Sequence, residues 1–200
     1  MKEKTVITYL LIIACLILPF TTTANATASK AQNFIQEVSQ EAISLIKNNS
    51  DNEIMKEQQL SKLFVESVDT KWIAQFAMGN HWKSASQAQK EVYINLHKKF
   101  LINSYVPKFR SYTNQKVVFK NFYEEGKLEY LIETEIVHGD DKRISVDYRV
   151  RKNADGQYRI YDVVAEGISL IGTQRSEFSS IISKKGVDYL IKKLKAKIYS

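Results

Sequence analysis

The chain predicts an α+β domain: a curved, antiparallel four-stranded sheet flanked by N-terminal and C-terminal helices. Apolar residues recur every three or four positions through the first half, alternate with period two from about 115 to 165, and return to helical spacing after Leu170. The order of helices, sheet, helices keeps the two element types in separate runs, which argues against a doubly wound parallel sheet. With 200 residues, 44% of them apolar and 26% charged, there is material for one core and little for a second, which excludes a large multidomain enzyme. Seven Gly and two Pro are too few for a linker-rich or collagen-like chain.

The N-terminus reads as an export leader. Lys2-Glu3-Lys4 precede an apolar run from Val6 to Phe20, broken only by Thr8, and small and polar residues follow from Thr21 to Ser29. The run is about 15 residues, short of the roughly 20 that cross a bilayer as a helix. Cleavage is expected after Ala26, with Ala28 as the second small-x-small site, so residues 1–26 form the leader and 27–200 a single domain. Cys15, the only cysteine, loosely resembles a lipoprotein acylation site, but it leads into apolar Leu16-Ile17-Leu18 rather than polar sequence. A soluble exported protein is the expectation. Its mature chain lacks cysteine, so it has neither a disulfide nor a catalytic thiol.

Phe34, Val38, Ala42 and Leu45 describe one stripe of a helix from about Ser29 to Asn48, ended by Asn48-Asn49-Ser50-Asp51-Asn52. Leu60, Leu63 and Phe64 mark a second helix, and Trp72, Ile73, Phe76 and Ala77 a third that stops near Gly79. Ser86 and Gln89 have capping-box spacing and open a long helix with Tyr93, Leu96, Phe100 and either Ile102 or Tyr105 inward. Pro107 ends or kinks it. Turn signals at Glu125-Gly126 and Asp155-Gly156 divide the next region into strands near 115–123, 128–138, 142–152 and 157–165. Leu128 to Ile136 and Ile144 to Val150 both bury even-numbered positions. Matching faces then require an odd loop, Gly139-Asp140-Asp141, pairing His138 with Lys142. Two helices separated by Gly186 close the chain, the second with Leu190, Ile191, Leu194 and Ile198 inward.

Catalytic signals are sparse. His81, His97 and His138 do not stand at metal-ligand spacings, and the chain has no nucleophile elbow, phosphate-binding loop, dinucleotide fingerprint or H-E-x-x-H motif. Carboxylate pairs such as Glu124-Glu125 and Asp140-Asp141 fall at predicted turns, where solvation explains them. Aromatics from both helices and strands, among them Trp72 and Phe109, suit either a packed core or an apolar cavity under a curved sheet. A formal net charge of +7 favours an anionic partner. Lys192, Lys193, Lys195 and Lys197 near the C-terminus form either a solvated face or a surface for anionic headgroups or an acidic partner. Nucleic acid is not expected, because Tyr130 and Tyr148 sit on buried strand faces and the leader directs export.

Asp162-Val163-Val164-Ala165-Glu166-Gly167-Ile168-Ser169-Leu170, followed by Thr173-Gln174-Arg175-Ser176-Glu177-Phe178, resembles the MlaC family of periplasmic phospholipid-binding components. Trp72 to Gly79 with His81-Trp82-Lys83, the helix ending Tyr105-Val106-Pro107-Lys108-Phe109, and Tyr148 to Lys152 follow in the family's order. Ala165, where a larger β-branched residue is usual, and Gln157-Tyr158, where a Trp is common, depart from the pattern. The resemblance implies a soluble carrier with no cofactor and phospholipid as cargo. Its implied partners are an inner-membrane ABC transporter complex (MlaFEDB-like) and an outer-membrane lipoprotein complex (MlaA-like), between which it serves outer-membrane lipid asymmetry. Two acyl chains hold roughly 30 methylenes, and at about 0.8 kcal/mol each their exposure to water costs on the order of 24 kcal/mol, so a carrier must hide them. The expected cavity lining is Tyr130, Ile132, Val146 and Tyr148 from the strands, with Phe76, Trp82, Phe100, Tyr105 and Ile168 from the helices. Arg175, Lys192 and Lys193 are candidates for headgroup or partner contact. Two other functions compete: a small-molecule enzyme on a related cone-shaped α+β fold, which lacks an evident acid–base pair, and a periplasmic chaperone or adaptor that would hold peptide in an open groove.

Overall fold

The computed structural model describes residues 23–47, 52–111, 115–138 and 142–199. The body of the expected leader, residues 1–22, and the central residues of the β-hairpin loop, 139–141, lie outside them. No helix among the described residues is long and apolar enough to cross a membrane.

Helix α1 (Thr23–Lys47) begins six residues before the expected start, because its Ala- and Thr-rich first turns carry no apolar stripe for periodicity to detect. α2 (Glu53–Ser67) is capped by Asn52, whose side chain accepts from the Met55 N–H. α3 (Thr70–Met78) is capped by Asp69 and stops at Gly79, where φ is +60°. A single turn, α4 (His81–Ser84), leads into α5 (Gln87–Tyr105). There the capping box forms as its spacing predicts: the Gln89 N–H donates to Ser86 Oγ at 3.2 Å and the Ser86 N–H to Gln89 Oε1 at 2.9 Å. Pro107 falls in a 3₁₀ turn, Val106–Ser111, that ends α5.

Strands β1 (Lys116–Gly126), β2 (Glu129–His138), β3 (Lys142–Lys152) and β4 (Tyr158–Ala165) form the expected antiparallel meander. His138 pairs with Lys142, and Ile132 opposes Tyr148, so the even-numbered faces coincide. A fifth strand, β5 (Ile168–Ser169), corrects the expected four. Glu166 and Gly167 both take positive φ, +48° and +77°, which folds β5 straight back onto Val164 and Ala165. Two residues are too few to show alternation, so this strand is invisible to pattern analysis. Helices α6 (Leu170–Lys185) and α7 (Val187–Tyr199) follow, broken at Gly186.

The sheet's inner face carries two different covers. Ala31 and Ile35 of α1 pack on Tyr130, Ile132, Val150 and Ile160. α3, α5, α6 and α7 build a separate helical core around Met78, Tyr93, Leu96, Phe178 and Leu190. Between them, Ile73, Leu101, Tyr161 and Ile171 join helices to sheet. The outer face is ionic: Glu135 accepts from both Lys120 and Arg143 at 2.9 Å, holding its carboxyl below the usual range.

Candidate binding cavity

The end of the sheet that α1 leaves uncovered roofs a cavity of ≈ 650 Å³, a volume typical of ligand pockets. Ile136 and Ile144, directly opposed on β2 and β3, line it from one side with Tyr148, Ile160 and Val163. Phe64 and Val68 at the end of α2, Ile73 of α3, and Leu101 and Tyr105 of α5 line it from another, and Leu170, Ile171 and Gln174 of α6 close it. A smaller cavity of ≈ 140 Å³ runs on beneath α1 and α2, sharing Phe64, Val68, Phe109, Tyr148, Ile160 and Val163 with the first. Phe109 and Ile144 line the main cavity and are also each 36% exposed, so they stand at its mouth.

The local folding that places this wall is legible in its bonds. β4 carries a bulge: Arg149 opposes Asp162 while Val150 opposes Ile160, leaving Tyr161 extra. The bulge buries Asp162, which is 3% exposed. Its Oδ2 accepts from Ser169 Oγ at 2.6 Å and from Arg149 Nη1 at 3.4 Å, and its Oδ1 accepts from the Ile171 N–H at 3.3 Å. Ser169 Oγ in turn accepts from the Gly172 N–H at 2.9 Å, capping α6. One carboxylate thus ties the bulge, β5 and the start of α6 together. Among the described residues it is also the only carboxylate in the cavity wall, and both its oxygens accept hydrogen bonds.

The other polar groups are neutral or peripheral. Burial pushes the Tyr148 hydroxyl up to about 12, and burial with the Asp162 charge raises that of Tyr105, so both phenols remain protonated. Gln174 Oε1 lies 2.8 Å from Nε2 of the fully buried His97. The Lys108 ammonium sits 5.2 Å from the Tyr105 ring centroid, beside Phe109 at the mouth. The cavity therefore offers dispersion and desolvation to an apolar guest, with a cation at its entrance.

Of the residues expected to line it, Tyr105 and Tyr148 do. Tyr130 and Ile132 lie on the same sheet face but under α1. Val146 is buried between Ile144 and Tyr148 and opposes Ala165, outside the wall. Phe76 stacks on Trp72, with ring centroids 5.1 Å apart. Trp82 and Phe100 pack against the helical core, and Ile168 lies on β5 rather than a helix, 61% exposed. The Arg175 guanidinium carbon sits over the Phe76 ring, 4.6 Å from its centroid, and Lys192 and Lys193 are exposed on α7; none of the three is among the residues that line the cavity. Ile136 and Ile144 belonged to the alternating pattern and could have been chosen from it. Leu101, Ile171 and Gln174 could not, because only the crossing of α5 and α6 over the sheet decides which side of each helix meets empty space.

Residues 36–196 match the family described as MlaC protein. The chain belongs to the MlaC family. A relative from Haemophilus influenzae, named intermembrane phospholipid transport system binding protein MlaC, is 25% identical over 130 residues, 64% of this chain and 61% of that relative. The match thus spans less than two thirds of the relative's length. A solved structure from Ralstonia solanacearum, described as a phospholipid-binding protein in complex with a phospholipid, superposes with a TM-score of 0.74 at 26% identity, covering 85% of this chain and 99% of the other. The resemblance of the Asp162–Leu170 segment to this family is therefore part of a match over residues 36–196, and the bonds of Asp162 and Ser169 give that segment a structural role.

Proposed function

We propose that this protein is a soluble periplasmic phospholipid carrier, exported by its N-terminal leader. Acyl tails lie in the cavity and the headgroup stays at the mouth beside Lys108. The cavity itself carries the proposal: an apolar chamber of ≈ 650 Å³ whose one carboxylate among the described residues is consumed by internal bonds has the wrong chemistry for a polar substrate and the right one for hydrocarbon. Family membership and the phospholipid held by the Ralstonia relative support the same cargo. The carrier would shuttle lipid between an outer-membrane lipoprotein complex and an inner-membrane ABC transporter complex, the step that maintains outer-membrane lipid asymmetry. The role is binding rather than catalysis.

The test is mass spectrometry of lipid extracted from the purified protein, with native mass spectrometry of the intact complex. Stoichiometric phospholipid is expected. A monodisperse, folded protein that holds no lipid and takes none from liposomes would refute the carrier function.

A further inference from the structure

The smaller cavity of ≈ 140 Å³ lies between two helices that pack well around it. Ile35, Ser39 and Ala42 line it from one face of α1, and Leu60, Leu63 and Ser67 from one face of α2, each set at helical spacings of three and four. On one side of the gap Ile35 clusters with Tyr130 and Ile132 of the sheet. On the other, Ala42 clusters with Leu60, Leu63 and Val106. The space survives between those clusters because Ser39, Ala42 and Ser67 are small. An unfilled void costs stability in proportion to its volume, and one larger aliphatic side chain at position 39 or 42 would occupy it.

The chemistry of this chamber suits hydrocarbon. Its two serines lie on helices, where a hydroxyl can bond the carbonyl one turn back, and the Tyr148 phenol is the one other polar side chain in its lining among the described residues. Apolar cavities of about this size take a benzene-sized guest, roughly six carbons. Phe64, Val68, Tyr148 and Val163 line both this chamber and the main cavity, and all four are half-buried, so the boundary between the two spaces is not packed solid.

We propose that the small chamber is an acyl-chain subsite: the terminal carbons of a long tail pass Phe64 and Tyr148 and lie beneath α1 against Ser39 and Ala42, whose size sets how long a tail the protein holds. This rests on the carrier function proposed above and adds its selectivity, long acyl chains over short. A tail too long for the main cavity alone would leave its surplus methylenes at the open mouth, whereas each one buried under α1 favours binding about four-fold.

A competition between two lipids tests it. The full chain, expressed with its leader and purified as the host processes it, is incubated with excess vesicles holding equal amounts of deuterated dilauroyl and dioleoyl phosphatidylglycerol, separated from them, and its lipid measured by mass spectrometry. Ser39→Leu fills the chamber, and its ratio of dioleoyl to dilauroyl lipid should fall by at least about ten-fold relative to wild type, as the loss of two buried methylenes requires, with total lipid per protein unchanged. Gln36→Leu, on the exposed side of α1, should keep the wild-type ratio. Should Ser39→Leu fold poorly by thermal melting, Ala42→Val, which adds less volume, is read in its place. An unchanged ratio in a folded chamber-filling variant, an equal fall in Gln36→Leu, or loss of both lipids alike overturns the subsite. Wild-type protein that takes up neither lipid would instead refute the carrier function.

Discussion

His97 is fully buried on α5, with Gln174 its one hydrogen-bond partner and Nδ1 left without one among the described residues. Burial lowers its pKa to about 4, against the smaller opposing effect of the Gln174 bond. The unfolded chain binds this proton near pH 6.5 and the folded chain only near 4, so stability is complete above the upper value and is lost as pH falls toward the lower. Chemical denaturation of His97→Gln should lack that part of the acid sensitivity, about 3 kcal/mol across the window. Asp162 is the other residue on which much converges. Asp162→Ala strands the Ser169 hydroxyl and the Ile171 N–H and removes a partner of Arg149, so it should cost roughly 2–3 kcal/mol in urea denaturation. Asp162→Asn, which keeps an acceptor, should cost less.

At the scale of elements, helix starts are carried by local chemistry. The Ser86 capping box satisfies two backbone donors that α5 would otherwise leave open, and Ser86→Ala should lower stability by about 1 kcal/mol by thermal melting without altering lipid content. The sheet depends on more distant effects. Its β4 bulge and the β5 turn aim Val163 and Leu170 at the cavity, and neither device leaves a periodic trace. Ile136 of β2, half-buried in the cavity wall, tests that aim. Ile136→Glu would set a carboxylate among hydrocarbon tails, and the folded variant should retain well under half the wild-type phospholipid by mass spectrometry.

For the molecule as a whole, the cavity is a gap between two cores, and a chamber of ≈ 650 Å³ forfeits dispersion contacts that the proposed lipid cargo would restore. Phospholipid should therefore stabilise the native state by mass action. At a hundredfold excess over its dissociation constant the gain is about 2.7 kcal/mol, or roughly 5–10 °C in Tm for a domain of this size. Calorimetry of loaded and delipidated protein measures it, and identical melting curves would show that the cavity holds no lipid.

Much of this was legible in the residues alone. The alternation of Ile144, Val146, Tyr148 and Val150 against charged neighbours determined strand, face and register, down to His138 opposite Lys142, because period two and loop parity are local geometry. Ser86 and Gln89 determined where α5 begins for the same reason. The cavity wall was less accessible: an apolar residue facing a void and one packed solid leave the same mark in a sequence. Phe100 and Trp82 went to the helical core, and Leu101 and Ile171 to the cavity, because of how α5, α6 and the sheet cross. Sequence by itself determined which side of each element turns away from water. Only the tertiary structure decided where the space between those sides stays empty, since that depends on angles and separations set jointly by elements far apart in the chain.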